Sequence, residues 1–278
     1  MMKYLLCLLI ILLVSCSDAG KFIKVKGSDT EVNLAVSLAE NFYKEHPDFS
    51  VAISGGGSGL GIASLLNGQT DIANSSRPLN AEEIMLLKTK GIPIRTVIFA
   101  EDATAFIVHK DFHLDSIDIA TLTKVLNGQY KTWKPVTGQD MPISIYGRQS
   151  NSGTHSFISK KLKMEFSRDA KEMNGNAQIV EGIKHDRSGI GYVGAGYILN
   201  NGTEQPIKVL KIIAKPGSIA VSPLDIKAIA ARRYYFQRPL YQFIPLTSWK
   251  KVSAFIDFEK SAAGQKIITT SGYYIILK

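Results

Sequence analysis

Three short polar segments combine residue types that bind oxyanions. Glycine lets a ligand approach the backbone closely, and serine and threonine contribute hydroxyl donors. Arginine adds a planar fork of N–H donors that matches an oxyanion. This chemistry suits the capture of a tetrahedral oxyanion, which accepts many hydrogen bonds at once. The segments are Gly27-Ser28-Asp29-Thr30, Gly55-Gly56-Gly57-Ser58-Gly59 and Arg148-Gln149-Ser150-Asn151-Ser152-Gly153-Thr154.

Each polar segment is predicted to end a strand and begin a helix. The first residues of a helix present unpaired backbone N–H groups and the positive end of the helix dipole, and both attract anions. Three helix starts that face one cleft would surround an oxyanion. Ser28 and Asp29 are also the residue types that cap a helix. The predicted strands cover 22–26, 49–53 and 143–146, and the helices after them begin near 28, 59 and 152.

The rest of the chain alternates short β-branched runs with helical spacing, which is typical of an α/β sheet. Asn80 and Glu83 predict a capping box for a helix that extends to Thr89. Further strands are predicted at 94–99, 105–108, 190–193 and 209–213, and a last strand at 273–277. A second structural unit is expected to begin after the strand at 105–108.

The sequence contains no legible catalytic or metal-binding pattern. Its five histidines show no metal-ligand spacing, and a nucleotide-binding loop or a nucleophile motif is not found. The glycine cluster at 55–61 lacks the Gly-x-Gly-x-x-Gly spacing of a dinucleotide site. We therefore expect a binding protein with no catalytic residues, no metal and no cofactor.

The N-terminus predicts export. Lys3 precedes an apolar run from Tyr4 to Val14, which has the length of a signal-peptide core. The run ends in Leu13-Val14-Ser15-Cys16, which resembles the lipobox of bacterial lipoproteins and implies cleavage before Cys16 and lipid on its thiol. The mature chain would lie on the periplasmic or extracellular face, anchored to a membrane. An ordinary secretory signal and a short membrane anchor are the alternatives.

The formal net charge of +9 favours an anionic partner. Nucleic acid is not expected, because the lysines are scattered and the chain carries no groove-reading motif. The charge instead favours small anions and anionic lipid surfaces as partners. Separately, the protein is expected to be a monomer.

The sequence resembles the phosphate-binding proteins of bacterial phosphate ABC transporters, over nearly all of the mature chain. Besides the three polar segments, the resemblance rests on matching stretches elsewhere in the chain. These are Asp71-Ile72-Ala73-Asn74-Ser75-Ser76-Arg77, Leu126-Asn127-Gly128 with Trp133, Ile190-Gly191-Tyr192, Arg238-Pro239-Leu240-Tyr241, Phe255-Ile256-Asp257-Phe258 and Gly264-Gln265-Lys266.

This resemblance implies a two-lobed periplasmic-binding-protein fold of type II, in which each lobe is a mixed sheet flanked by helices and two hinge strands join the lobes. The expected division is a signal peptide at 1–15, the first part of lobe 1 at 16–105, lobe 2 at 106–200 and the return part of lobe 1 at 201–278. The implied partners are inorganic phosphate and the membrane subunits of an ABC permease. A surface sensor or adhesin with the same fold is the alternative.

The resemblance also implies which residues bind the ligand. By position these are Ser28, Asp29, Thr30, Ser58, Arg148, Ser152, Gly153 and Thr154, together with Ser76. Ser76 departs from well-known members, in which an aspartate accepts the proton of hydrogen phosphate and so rejects sulfate. Because serine both accepts and donates, sulfate or molybdate stays an alternative ligand. Asp29 is the expected substitute acceptor. Arg77 is expected to pair with an acidic neighbour across the cleft rather than to bind ligand.

Overall fold

The computed structural model describes residues 21–200 and 206–276. The predicted signal segment, the lipidation site at Cys16 and the last two residues lie outside this range. The strands are β1 Lys21–Gly27, β2 Phe49–Ser54, β3 Ile72–Ser75, β4 Ile94–His109, β5 Ser116–Asp118, β6 Ser144–Arg148, β7 Lys171–Met173, β8 Gly189–Gly194, β9 Ile207–Val209, β10 Lys211–Ile213 and β11 Gln237–Pro245. The helices are α1 Val32–Glu45, α2 Ser58–Leu66, α3 Ala81–Thr89, α4 Ile119–Leu126, α5 Lys134–Thr137, α6 Gly153–Leu162, α7 Asn176–His185, α8 Ala195–Asn200, α9 Ile226–Ala230, α10 Trp249–Lys260 and α11 Ala262–Thr270.

Most described strands form one mixed sheet with the order β2-β1-β3-β11-β4-β8-β6-β7, and β9 also pairs with β4. The strands β1, β2 and β3 are parallel, whereas β11 runs antiparallel to both β3 and β4. On the other side of β4, β8 is antiparallel to it, and β6 is parallel to β8 and β7. Two groups of strands therefore share the long strand β4.

The described residues form three hydrophobic clusters, and the two larger ones lie on the two sides of this junction. One contains Ile23, Phe42 and Ile256, which come from both ends of the chain. The other contains Phe106 and Tyr192. The molecule therefore has the expected mixed α/β architecture with two lobes, lobe 1 built around the first core and lobe 2 around the second.

The strand β4 crosses from lobe 1 to lobe 2 without a break. Its first part pairs with β11, and its last part, from Thr104, pairs with β8. The sequence predicted two separate strands here, because Glu101 and Asp102 interrupt the apolar pattern. The strand continues because both carboxylates have partners: Arg232 binds Glu101 at 3.0 Å, and Arg238 binds Asp102 at 2.9 Å.

The described strands that directly follow the predicted return at residue 201 still pair with strands of lobe 2. The strand β9 pairs with the lobe 2 part of β4, and β10 pairs with β5. Leu210, Tyr234 and Phe236 belong to the lobe 2 core. The second crossing runs beside the first, where the Thr104 N–H donates to the Phe236 carbonyl at 3.0 Å. We therefore place the return near the start of β11.

The predicted last strand at 273–277 is wrong for its described residues. Through Ile276 these residues contain one isolated bridge, between Tyr274 and Glu101, and Leu277 lies outside the described range. The tyrosine hydroxyls bind elsewhere in the fold instead. Tyr273 donates to the Thr30 carbonyl at 2.5 Å, and Tyr274 donates to the Pro223 carbonyl at 3.0 Å.

Among the described residues, no helix is long and apolar enough to cross a membrane.

Candidate functional site

The first polar segment follows β1 at the carboxyl edge of the lobe 1 sheet. Ser28 and Thr30 are each 2% exposed, and the Ser28 N–H donates to the Asn74 carbonyl at 2.9 Å. After Ser28 the chain forms a short 3-10 helix, Asp29–Glu31, which leads directly into α1. The predicted capping by Ser28 and Asp29 is wrong, since neither side chain caps the helix. Asp29 instead reaches residues of the other lobe.

The glycine segment links β2 to α2 beside the first segment. Gly56 and Gly57 have φ angles of 113° and 114°, which residues with a Cβ rarely adopt. The Gly57 N–H donates to the Gly27 carbonyl at 2.8 Å and so joins the two segments. Ser58 is fully buried at the start of α2. The Ser58 hydroxyl therefore lies beside the first backbone N–H groups of α2.

The third segment joins β6 to α6 in lobe 2. Arg148 is the last residue of β6 and is 2% exposed. Ser152 caps α6, because its Oγ accepts from the His155 N–H at 3.4 Å. Gly153 and Thr154 are the first two residues of the helix, so their backbone N–H groups have no intrahelical partner. This is the donor arrangement that the sequence predicted.

Ser76 follows β3 and lies against the glycine segment. Its N–H donates to the Ser58 Oγ at 3.1 Å. The Ser76 hydroxyl is buried and has no hydrogen-bond partner among the described residues. Ser76 therefore presents a hydroxyl whose lone pairs and hydrogen are both uncommitted.

The three segments and Ser76 meet across the two lobes. The Gly59 N–H donates to the Asn151 carbonyl at 3.0 Å. A Cβ on residue 153 would overlap the hydroxyl oxygens of Ser58 and Ser76, so Gly153 permits their close approach. The fold therefore brings together the predicted residues of both lobes, with the lobes in contact.

Arg148 and Asp29 form an ion pair between the lobes. An Arg148 Nη1 lies 3.4 Å from the Asp29 Oδ2, and its Nη2 donates to the Asn174 carbonyl at 2.9 Å. The same Asp29 oxygen accepts from the Asn176 N–H at 2.8 Å, at the start of α7. Burial lowers the pKa of Arg148, and the charge of Asp29 opposes this shift. The Arg148 Nε, by contrast, has no partner among the described residues.

Arg77 is committed within lobe 1. Its Nη2 and Nη1 bind the two carboxylate oxygens of Glu83 at 2.6 and 2.8 Å. Burial raises the pKa of Glu83, but the hydrogen bonds from Arg77 and from the Asn80 N–H outweigh it and lower this pKa overall. Asn80 and Glu83 also form the predicted capping box of α3. Arg77 therefore pairs with an acidic neighbour, as expected, although that neighbour lies in its own lobe.

Sequence reasoning gave no role to Arg238, which is 2% exposed beside the site. Its Nη2 lies 3.0 Å from the Thr154 Oγ1 and 3.3 Å from the Thr30 Oγ1. The only signal was its place in a stretch shared with a known family.

Asn176 was missed as well, because a backbone N–H that donates to a carboxylate far away in the sequence leaves no local pattern. Within the described ranges, no group of three or more metal-ligating side chains is found.

Residues 16–262 match the PBP superfamily domain. The chain belongs to this superfamily of solute-binding proteins. It is also 30% identical, over 277 residues, to the phosphate-binding protein PstS of Borreliella burgdorferi, with 94% of this chain and 93% of that protein covered. A phosphate-binding protein PstS of Staphylococcus haemolyticus is 29% identical over 241 residues and is covered to 75% of its length.

Two solved structures have the same fold as this chain. A Clostridium perfringens phosphate ABC transporter substrate-binding protein with bound phosphate superposes with a TM-score of 0.81 at 23% identity, over 92% of this chain and 100% of that one. An ABC-type phosphate transport receptor from Vibrio cholerae gives a TM-score of 0.70 at 25% identity, over 91% and 100% of the two chains. These matches cover both lobes and support the two-lobed architecture.

Proposed function

We propose that this protein captures inorganic phosphate in the cleft between its lobes and delivers it to an ABC-type membrane permease. The observation that carries the proposal is the convergence of donors from both lobes on one buried place. Ser58 comes from lobe 1, and Arg148, Ser152 and Thr154 come from lobe 2. We infer that these residues, with Ser28, Asp29, Thr30, Ser76 and Gly153, form the phosphate site.

The hydroxyl groups of the site are set to donate. The Ser58 Oγ accepts from the Ser76 N–H, and the Ser152 Oγ accepts from the His155 N–H. A hydroxyl whose oxygen already accepts a hydrogen bond still has its hydrogen to give. Both hydrogens are therefore left for the oxygens of an anion. Charge-assisted bonds of this kind contribute about 1.5 to 3 kcal/mol each, and micromolar affinity needs about −8 kcal/mol.

The named relatives support phosphate as the ligand. The proteins of Borreliella burgdorferi and Staphylococcus haemolyticus are both named phosphate-binding protein PstS. The Clostridium perfringens structure holds bound phosphate. The match extends along nearly the whole chain, so it includes all three polar segments.

Capture would be coupled to closure of the lobes. The contacts of Asp29 with Arg148 and with Asn176 join lobe 1 to lobe 2. An open form would lack them and admit the anion. Phosphate then stabilises closure only by as much as it binds the closed form more tightly. The two side-by-side crossings at Thr104 and Phe236 form the hinge of this motion.

The remaining proposals concern where and how the protein works. We infer that it is exported, that residues 1–15 are removed, and that lipid on Cys16 anchors it to a membrane. It acts as a monomer, without cofactor, metal or catalysis. The lipobox-like end of the apolar run supports the anchor, and membership of a solute-binding superfamily supports binding rather than catalysis.

A different oxyanion, sulfate or molybdate, is the second candidate, and Ser76 is the observation that favours it. Its uncommitted hydroxyl can donate to a fully ionised anion, whereas a carboxylate there would repel one. Hydrogen phosphate instead needs an acceptor for its proton, which is either the Ser76 hydroxyl or the substitute carboxylate of Asp29. Equilibrium dialysis with labelled phosphate and a tenfold excess of unlabelled sulfate or molybdate separates the candidates. Retained label supports phosphate, and displacement by sulfate or molybdate contradicts it.

Delivery has a separate test. Proteoliposomes that contain the permease and ATPase of the same organism should import labelled phosphate only when this protein and ATP are both added. Import that is independent of the protein would contradict the transport role. It would not affect the binding role.

A further inference from the structure

Arg238 lies where the two lobes and the hinge meet. It belongs to β11 and is the direct register partner of Asp102 on β4. Its Nε and Nη2 bind the Asp102 Oδ2 at 3.2 and 2.9 Å. Asp102 is fully buried, so this ion pair fixes the guanidinium beside the crossing strands. The Nη1 of Arg238 has no partner among the described residues.

The same guanidinium contacts a threonine of each lobe. Its Nη2 lies 3.3 Å from the Thr30 Oγ1 in lobe 1 and 3.0 Å from the Thr154 Oγ1 in lobe 2. The two threonine oxygens lie 3.0 Å from each other. All of these atoms belong to residues that are at least 98% buried, since Thr30 and Arg238 are each 2% exposed and Thr154 is 1% exposed. Water therefore does not take the place of these contacts.

The two threonines have one more hydroxyl hydrogen than the contacts within this cluster use. A guanidinium only donates, and the two hydrogens of the Arg238 Nη2 face the Asp102 Oδ2 and the two threonine oxygens, so the threonines accept a shared hydrogen from it. The two threonines own two hydroxyl hydrogens, and their mutual contact uses one of them. The Asp102 Oδ1 accepts from neither, because it has no partner among the described residues. The second hydrogen is therefore free to be donated into the site.

We propose that Arg238 is a positioning residue for anion capture: it fixes the hydroxyls of Thr30 and Thr154 as donors and holds them together when the lobes close. This inference rests on the proposed function. Thr30 and Thr154 lie in different lobes, so their shared contact with Arg238 exists only in the closed arrangement. Losing it should therefore open the lobes and speed the release of phosphate.

The test is a double-mutant cycle on phosphate binding. Arg238→Lys keeps a positive charge beside Asp102 but cannot reach both threonines and the carboxylate with one planar fork. We expect about tenfold weaker phosphate binding, mainly through faster dissociation. Thr154→Val should weaken binding similarly. The double variant should bind no more weakly than the weaker single variant, because both changes disrupt the same cluster of contacts.

Two controls keep the result interpretable. Arg77→Lys alters a buried arginine whose guanidinium is paired with Glu83 of its own lobe, and should leave affinity unchanged. Thr154→Ser should restore binding, since it retains the hydroxyl. If Arg238→Lys does not fold, Thr30→Val and Thr30→Ser replace it in the cycle, and the same non-additivity with Thr154→Val is expected.

The outcomes separate the two claims. Wild-type affinity in folded Arg238→Lys, or additive losses in the cycle, would overturn the role of Arg238 and leave phosphate binding intact. Failure of the wild-type protein to bind phosphate would contradict the proposed function and this inference with it.

Discussion

Arg148 and Asp29 stand 119 positions apart in the chain, yet they form an ion pair of 3.4 Å between the two lobes. The pair joins a strand end of lobe 2 to the first turn of lobe 1. It holds the arginine in a place that is only 2% exposed, with its Nε left without a partner among the described residues. Arg148 is thus both fixed and still able to donate.

Arg148→Lys should weaken phosphate binding by about tenfold, because lysine keeps the charge but loses the planar fork. Arg148→Ala should weaken it by up to about a hundredfold and should also leave Asp29 without its cation. Titration calorimetry of both variants gives these affinities. Arg77→Lys is the matched control, and a loss of the same size there would mean that the effect comes from the fold rather than from the site.

Gly153→Ala should weaken phosphate binding by about tenfold or more, since its Cβ would overlap the hydroxyls of Ser58 and Ser76 when the lobes are closed. Alanine has a higher helix propensity than glycine, so the helix itself should not lose stability. Calorimetry measures the affinity, and small-angle scattering measures closure. Ser156→Ala in the same helix should bind normally. Full closure and wild-type affinity in Gly153→Ala would show that the lobes do not meet here.

Ser76→Asp should raise the ratio of phosphate affinity to sulfate affinity, because a carboxylate accepts the proton of hydrogen phosphate and repels a fully ionised anion. Ser76→Ala should lower the affinity for both anions, and more for phosphate, because hydrogen phosphate can both donate to the hydroxyl and accept from it whereas sulfate can only accept. Competition dialysis near pH 7.5 measures both ratios, with thermal unfolding as the control for the fold. Equal ratios in the wild-type protein and both variants would remove Ser76 from the site.

Glu259 should make the stability of lobe 1 depend on pH. Burial raises its pKa to about 8, although a hydrogen bond from Gln242 opposes the shift. Because the folded state holds this proton above the ordinary pKa of 4.5, the free energy of unfolding should fall as the pH rises from about 4.5 to 8. The slope reaches about 1.4 kcal/mol per pH unit at most.

Glu259→Gln removes this titration, so the variant should gain stability relative to the wild-type protein as the pH rises. Urea unfolding at pH 5, 6, 7 and 8 measures the difference. Glu45→Gln, at an exposed position of the same lobe, should show no such trend. A Glu259→Gln difference that is constant with pH would show that the carboxyl does not stay protonated in the fold.

Much of the lobe architecture was predictable because its signals are local. The helix that begins after Gly57 and the capping box of Asn80 and Glu83 each follow from residues within one turn. Arg148 and Ser152 were predicted as donors for the same reason, since both belong to one polar segment at a strand end. The α/β class followed from the alternation of these elements.

The parts that were missed depend on partners far away in the sequence. The strand β4 looked interrupted at Glu101 and Asp102, because the arginines that neutralise them come more than 130 positions later. The contact between Thr30 and Thr154 spans 124 positions. Neither relationship leaves a periodic or short-range pattern, so only the folded chain reveals them.

The central claim is that the convergent donors of the two lobes bind a tetrahedral oxyanion, and that this anion is phosphate. Titration calorimetry of the purified protein with phosphate, arsenate, sulfate and molybdate tests it most directly. We predict saturable heat with phosphate at one site per chain and weaker binding of sulfate and molybdate. No heat with any of the four anions would contradict the oxyanion site itself, and tighter binding of sulfate or molybdate would contradict phosphate as its ligand.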